Sequence, residues 1–268
     1  MKNITTIIPI SEITPEELPL LENALNSIKN QSDGVFPSKV IIIHKPNVES
    51  VLFQLSNLVY NDLDVKFIVN QGSATIQNQL NTAIAEVDTE YFAYLEFDDQ
   101  FTNFYFKHVD EYIKSFNDVS VFLPFTADVL GNGTFVRYGN AECFTREVSE
   151  QQGFITHDAL LKVPMFNSIS GGVFKVEDFV DLGKLKENVK YTFIYEYFLR
   201  ITNQDQKIMV IPKLGYIHIL DRKNSYTVTL NNSGISQEEL AFWFEKAKQE
   251  FYFHKIDRKI EYTPKAIA

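Results

Sequence analysis

Three carboxylates crowd the end of one apolar run: Glu96, Asp98 and Asp99 close the segment Tyr91–Asp99, YFAYLEFDD. The first half of that run is aromatic and apolar, as a buried strand is. Carboxylates this close repel one another unless a cation or a proton neutralises them. Their hard oxygens suit Mg²⁺ or Mn²⁺. Alternation along a strand puts Glu96 and Asp98 on the same side. In an open α/β sheet the carboxyl ends of the strands are where ligands bind. Residue type and position together point to a metal-assisted site for a phosphate-bearing ligand. The same run reads equally well as an acidic turn that ends a strand and caps the next helix.

The elements that would hold these carboxylates alternate in type. Ile4–Ile10 reads as a strand, and Leu18, Leu21, Leu25 and Ile28 then recur at helical spacing. Pro15 and the acidic Glu16 and Glu17 suit the first turn of that helix. Lys39–Ile43 and Val65–Val69 read as strands, separated by a helix marked by Leu52, Leu55 and Val59. A turn at Asn70–Ser73, with Ser73 as N-cap, leads to a helix whose apolar face is Ile76, Leu80, Ala83 and Ile84. After the acidic strand come a helix over Phe104–Phe116 and a strand over Ser120–Pro124. This order predicts an α/β fold with a doubly wound, mainly parallel sheet and helices on both faces.

From Thr126 to Val163 periodicity weakens, with Leu130–Gly133 a hairpin or loop. Gly171 and Gly172 mark a turn or a close backbone approach. Helical patterning returns over Tyr191–Ile201, and Lys207–Ile211 is a short strand. Ser236–Phe253 is an amphipathic helix with Leu240, Phe244, Ala247 and Phe251 on one face. Its mixed charges favour packing or homo-oligomerisation over a membrane surface, which wants a basic polar face.

The 268 residues are 45% hydrophobic, enough for a sizeable core in one domain with a C-terminal appendage. With 25 basic and 35 acidic residues the net charge is -10, which argues against non-specific nucleic-acid binding. A single cysteine, Cys143, rules out an intrachain disulfide and fits a reducing compartment. The N-terminus lacks the pattern of a signal peptide and no apolar run reaches transmembrane length. A cytoplasmic location is the expectation.

Several segments in order resemble the inverting glycosyltransferases of family 2, which have the GT-A fold. The opening Ile7–Ser11 and the helix end Ser27–Gln31 are similar to the family's start. Asn70–Asn78 resembles its Asn-x-Gly stretch, and Leu95–Asp99 its Leu-Asp-x-Asp-Asp signature, the DXD-type motif. Further on, Ser170–Lys175, Asp181–Gly183, Glu196–Arg200 and Tyr216–Ser225 resemble the family's acceptor-side segments. The resemblance covers about residues 3–226. It implies a nucleotide-binding half at 1–125, an acceptor half at 126–226 and a helical appendage at 227–268. This chain departs from the pattern at four places. Glu96 stands for the first Asp, and His44-Lys45-Pro46 replaces the acid after the second strand. Gln77 stands for an Arg, and Ile194 occupies the register of the catalytic Asp.

The resemblance implies displacement at an anomeric carbon, with a nucleotide diphosphate leaving and an acceptor hydroxyl attacking. The diphosphate gathers negative charge, so a divalent metal (Mn²⁺ or Mg²⁺) is expected on Asp98 and Asp99, with His218 an added ligand or a structural residue. The attacking hydroxyl needs a carboxylate base, for which Glu196 is the candidate, unless it simply pairs with Arg200 at i+4. His157 and Asp158 form a competing acid/base pair. Pro9, Ser11, Asn70, Gly72, Gln77 and Glu96 are expected to rim the nucleotide-sugar crevice, the donor being a UDP-sugar and the acceptor unknown. Arg222 and Lys223 reach the diphosphate or stay solvated. A catalytically inactive GT-A-like domain, kept as a structural or binding module, is the alternative. A nucleotidyltransferase is disfavoured, because no Gly-rich basic loop follows the first strand.

Overall fold

Alternate residues of each central strand serve opposite faces of one sheet, and this sets the layers. In the computed structural model, Ile7 of β1 (Ile4–Ile10) and Ile41 and Ile43 of β2 (Lys39–His44) enter one core, while Ile8 and Ile42 enter the other. The structure describes residues 4–32, 39–55, 63–141, 153–163, 169–220, 222, 234–254 and 258–264. Cys143, Lys223 and Ser225 lie outside them.

The strands are completed by β3 (Val65–Val69), β4 (Tyr91–Tyr94), β5 (Gln100–Phe101), β6 (Val119–Val129), β7 (Phe135–Gly139), β8 (Phe154–Ile155), β9 (Val173–Lys175) and β10 (Lys207–Ile219). The helices are α1 (Leu18–Lys29), α2 (Glu49–Leu52), α3 (Ile76–Ala83), α4 (Tyr105–Ser115), α5 (His157–Lys162), α6 (Val176–Asp181), α7 (Phe193–Asn203) and α8 (Gln237–Glu250). The ten strands form one sheet in the order β3-β2-β1-β4-β9-β6-β10-β5, with β7 beside β6 and β8 beside β10. The first four strands are parallel; β9 reverses direction between β4 and β6, and β10 then runs parallel to β6. Leu21 of α1 and Phe106 of α4 fill one core, and Leu80 of α3, Phe198 of α7 and Trp243 of α8 fill the other. The expected α/β sheet with helices on both faces is therefore present.

Local chemistry sets several boundaries. Pro15 opens a short 3₁₀ turn ahead of α1, and Glu17 accepts from the Thr14 amide at 2.9 Å, closing a capping box. The N-cap of α3 is Thr75, not Ser73: the Thr75 hydroxyl accepts from the Asn78 amide at 3.3 Å. The strand expected over Ser120–Pro124 runs on to Val129, and that expected over Lys207–Ile211 runs on to Ile219. The two continue side by side, so residues 216–218 lie on a strand rather than in a loop.

The C-terminal helix turns most of the expected face inward, with Ala247 and Phe251 buried and Phe244 packed against the core. Trp243, Ala247 and Phe251 are buried and Leu240 is exposed, because the widest ring has the most apolar area to remove from water. That face packs on α7 of the same chain. Among the described residues, no helix is long and apolar enough to cross a membrane.

Candidate functional site

The parallel strands β1 and β4 end side by side, and the chain beyond each turns outward over a cavity of about 560 Å³. Pro9, Ser11 and Glu12 line it from β1, and Tyr94, Glu96 and Asp98 from β4. The start of α3 contributes Gln77 and Gln79, and the segment entering α7 contributes Glu187, Lys190, Tyr191 and Phe193. Of the expected donor-site residues, Pro9, Ser11, Gln77, Glu96 and Asp98 share this one space.

Asn70 and Gly72 do not line it. The Asn70 side chain closes its own turn, accepting from the Gly72 amide at 2.9 Å and donating to the Ser73 carbonyl at 2.8 Å. A Cβ at Gly72 would sit 2.2 Å from Asn78 Oδ1, so a side chain there would displace the Asn78 amide. Lys45, where the family pattern has an acid, donates to the Asn70 carbonyl at 2.9 Å and to the Gly72 carbonyl. It ties the β2 end to this turn. Gln79, which sequence reading overlooked, donates to Ser11 Oγ at 2.7 Å and to the Ala74 carbonyl at 3.1 Å. Its Oε1 is buried and has no protein partner among the described residues.

The three carboxylates converge, with one oxygen of each lying within 4.8 Å of the others. Their roles differ. Asp99 is fully buried and spends both oxygens on the protein: Tyr216 Oη donates at 2.8 Å, the Ile219 amide at 3.0 Å and Arg222 Nη2 at 2.8 Å. Burial, then the Glu96 charge, pushes the Asp99 carboxyl up to about 8, against the pull of His218 and these hydrogen bonds. Asp98 pairs with Arg222 Nη1, and Glu96 accepts from Ser170 Oγ at 2.7 Å. This all-oxygen donor set fits a hard divalent cation. Glu96 and Asp98 face the cavity, and Asp99 is fully buried. Arg222 already places one positive charge against the cluster.

His218 stands apart from this donor set. Its Nδ1 lies 3.1 Å from Asp128 Oδ1, and Arg137 holds the other Asp128 oxygen at 2.7 Å. Burial works against the imidazolium, but the Asp128 hydrogen bond and the Asp99 and Glu96 charges outweigh it and raise the His218 pKa to about 9. Of the two roles expected for His218, the Asp128 hydrogen bond is the structural one. The raised pKa has a consequence for stability. The native state holds this proton more tightly than the unfolded chain, so the contribution is fully present below pH ~6.5 and fades as pH rises through ~9. We expect His218→Asn to remove roughly 2–3 kcal/mol of pH-dependent stability across that window. Urea titrations at pH 6 and pH 9 check it; an unchanged slope of stability against pH would contradict it.

Glu196 is also corrected. It is 0% exposed and does not reach the cavity. Lys186 Nζ lies 2.6 Å from one oxygen and Arg200 Nη2 2.9 Å from the other, so the i+4 pairing with Arg200 is its role. Ile194 is buried in the core, and Phe193, one residue earlier, lines the cavity. His157 and Asp158 begin α5, where His157 Nδ1 is 2.9 Å from Thr202 Oγ1, and neither lines the cavity. The residues that sequence reading missed on this wall are Glu187, Lys190, Tyr191 and Phe193. Nothing in their spacing marks them, because they come from an irregular segment.

No family model matches the sequence, and no curated protein matches it. Solved structures do. The chain superposes on residues 1–349 of S. aureus TarS with a TM-score of 0.60 at 16% identity, over 94% of this chain and 71% of that one. The same S. aureus protein in complex with UDP-GlcNAc matches with a TM-score of 0.60 at 16% identity, covering 94% of this chain and 72% of the other. In complex with UDP the TM-score is 0.59 at 16% identity, with 92% and 70% covered. The chain shares the fold of this protein, the α/β fold of GT-A type with a mostly parallel, curled sheet.

Proposed function

We propose that the chain is a glycosyltransferase that holds a uridine diphosphate sugar in the cavity between the ends of β1 and β4 and passes the sugar to an acceptor hydroxyl. One observation carries this reading. Glu96 and Asp98 rim a cavity at the carboxyl ends of parallel strands, in a fold whose structural relative binds UDP-GlcNAc and UDP. Ser11, Gln77 and Gln79 supply polar side chains along the cavity for the nucleoside. Arg222 faces the diphosphate from beside Asp98. A Mn²⁺ or Mg²⁺ ion held by Glu96 and Asp98 would neutralise charge on the departing diphosphate.

Direct displacement needs a carboxylate to take the acceptor proton, and it inverts the anomeric centre. With Glu196 locked away, Glu187 is the carboxylate on the α7-side wall, where it accepts from Asn78 Nδ2 at 3.0 Å. The second reading, a domain that binds a nucleotide sugar without transferring it, is favoured by that same wall. Phe193 presents an apolar ring to the cavity, and Ile194 stands where the family pattern has its catalytic Asp.

Thermal unfolding with UDP, with Mn²⁺ and with both tests the donor site. Saturation near 100 times the dissociation constant is expected to add about 2.7 kcal/mol, and Asp98→Ala to abolish the gain. Release of UDP from UDP-GlcNAc then separates the readings. Turnover lost in Glu187→Gln supports transfer, and binding without turnover supports the module. No response to any uridine nucleotide would sink both.

A further inference from the structure

We infer that Tyr191 is the platform on which the donor's sugar ring packs, and that α8 is built to hold it there; this rests on the donor-site reading above. Tyr191 lines the same cavity as Glu96 and Asp98 and is half-buried. Its backbone is in an unusual state: φ is +51°, in the left-handed region that a bulky side chain avoids. The Thr192 amide turns back to the Lys190 carbonyl across it, making a tight three-residue turn. A glycine would relieve this strain, yet the position carries a large amphipathic ring. Strain retained at a cavity wall points to a role for the side chain.

The support behind the ring is specific. Trp243 of α8, 1% exposed, meets it edge-on at a centroid distance of 6.2 Å and an interplanar angle of 84°. The Thr192 hydroxyl donates to the Trp243 carbonyl at 2.8 Å. The turn is therefore pinned to α8 by both a ring contact and a hydrogen bond. A ring fixed from behind that lines the cavity suits the apolar C–H face of a pyranose. Glu187 and Lys190 flank it and suit the sugar's hydroxyls. A nucleoside diphosphate alone has no pyranose to offer this wall. Tyr191 therefore contributes to the preference for sugar nucleotide over UDP rather than to nucleotide binding as such.

Calorimetric titration of UDP and of UDP-GlcNAc into the full chain, beside Tyr191→Gly and Tyr191→Phe, tests this. In the wild type UDP-GlcNAc is expected to bind more tightly than UDP. In Tyr191→Gly the ratio of the two dissociation constants should fall about tenfold, the scale of one aromatic packing contact, with UDP itself unaffected. The melting temperature of Tyr191→Gly should hold or rise as the strain is relieved. Tyr191→Phe should keep the ratio. A ratio that is absent in the wild type, or that survives in Tyr191→Gly, overturns the inference and leaves the donor site standing. A lower melting temperature with UDP affinity lost in parallel makes Tyr191 a structural prop and also overturns it. Silence of the wild type toward both ligands removes the donor-site reading, and this inference with it.

Discussion

Glu196→Ala should lose about 3–5 kcal/mol of folding stability, the scale of breaking a buried ion pair by removing one partner. The carboxylate is 0% exposed and is shared by two cations, Lys186 Nζ at 2.6 Å and Arg200 Nε and Nη2 at 3.1 and 2.9 Å. Arg200 also donates to the carbonyls of Leu182 and Lys184, and Lys186 to that of Glu250. Those bonds hold both cations in place when the carboxylate goes, so two buried positive charges are left facing one another. Burial already lowers the Lys186 pKa and Glu196 is what pulls it back up. In the variant Lys186 sheds its proton more easily in the native state than in the unfolded one. The unfolded chain then binds more protons, so the variant's stability rises with pH toward ~10.4, where free lysine titrates. Urea unfolding at pH 6 and pH 9 measures both effects. A base working in an open crevice would behave otherwise: stability would stay within about 1 kcal/mol of wild type.

That contrast shows where sequence reading reached and where it stopped. The central strands were readable because burial on both faces demands continuous apolar runs, and Ile4–Ile10 and Lys39–Ile43 are such runs, whereas Val65–Val69 is a half-exposed edge strand marked by its β-branched and aromatic residues. The acidic cluster was readable because strand alternation puts Glu96 and Asp98 on one side, and both do line the cavity. The surroundings of Asp99 were not readable, because its partners lie more than a hundred residues away, at Tyr216, Ile219 and Arg222. The partner of His218 was hidden for the same reason: Asp128 lies on a different strand, and only the long pairing of β6 with β10 brings the two together. The wall opposite was not readable at all. Tyr191 faces the cavity through a left-handed backbone turn, and no periodicity encodes such a turn.

Trp243→Ala should cost about 3–5 kcal/mol, the range for removing a buried large aromatic side chain, and lower the melting temperature on the order of 10 °C. The indole is 1% exposed and sits in the same core as Phe198 of α7 and Leu80 of α3. Helix α8 contributes Ala247 and Phe251 to that core, and the Lys186 ammonium donates to its last carbonyl, at Glu250. A helix that shares a core and a hydrogen-bond network with the sheet should melt with it. The expected result is one cooperative transition, shifted downward as a whole, with amide exchange accelerated in α7 as well as in α8. An appendage beginning near residue 227 would behave differently. Its loss would appear as a separate early transition, with α7 and the sheet protected as in the wild type. The same variant takes away the ring behind Tyr191, so any preference for sugar nucleotide over UDP should weaken while the fold, measured well below its transition, persists. Stability and donor discrimination are thus coupled through one side chain, because the element that closes the core also sets the geometry of the wall.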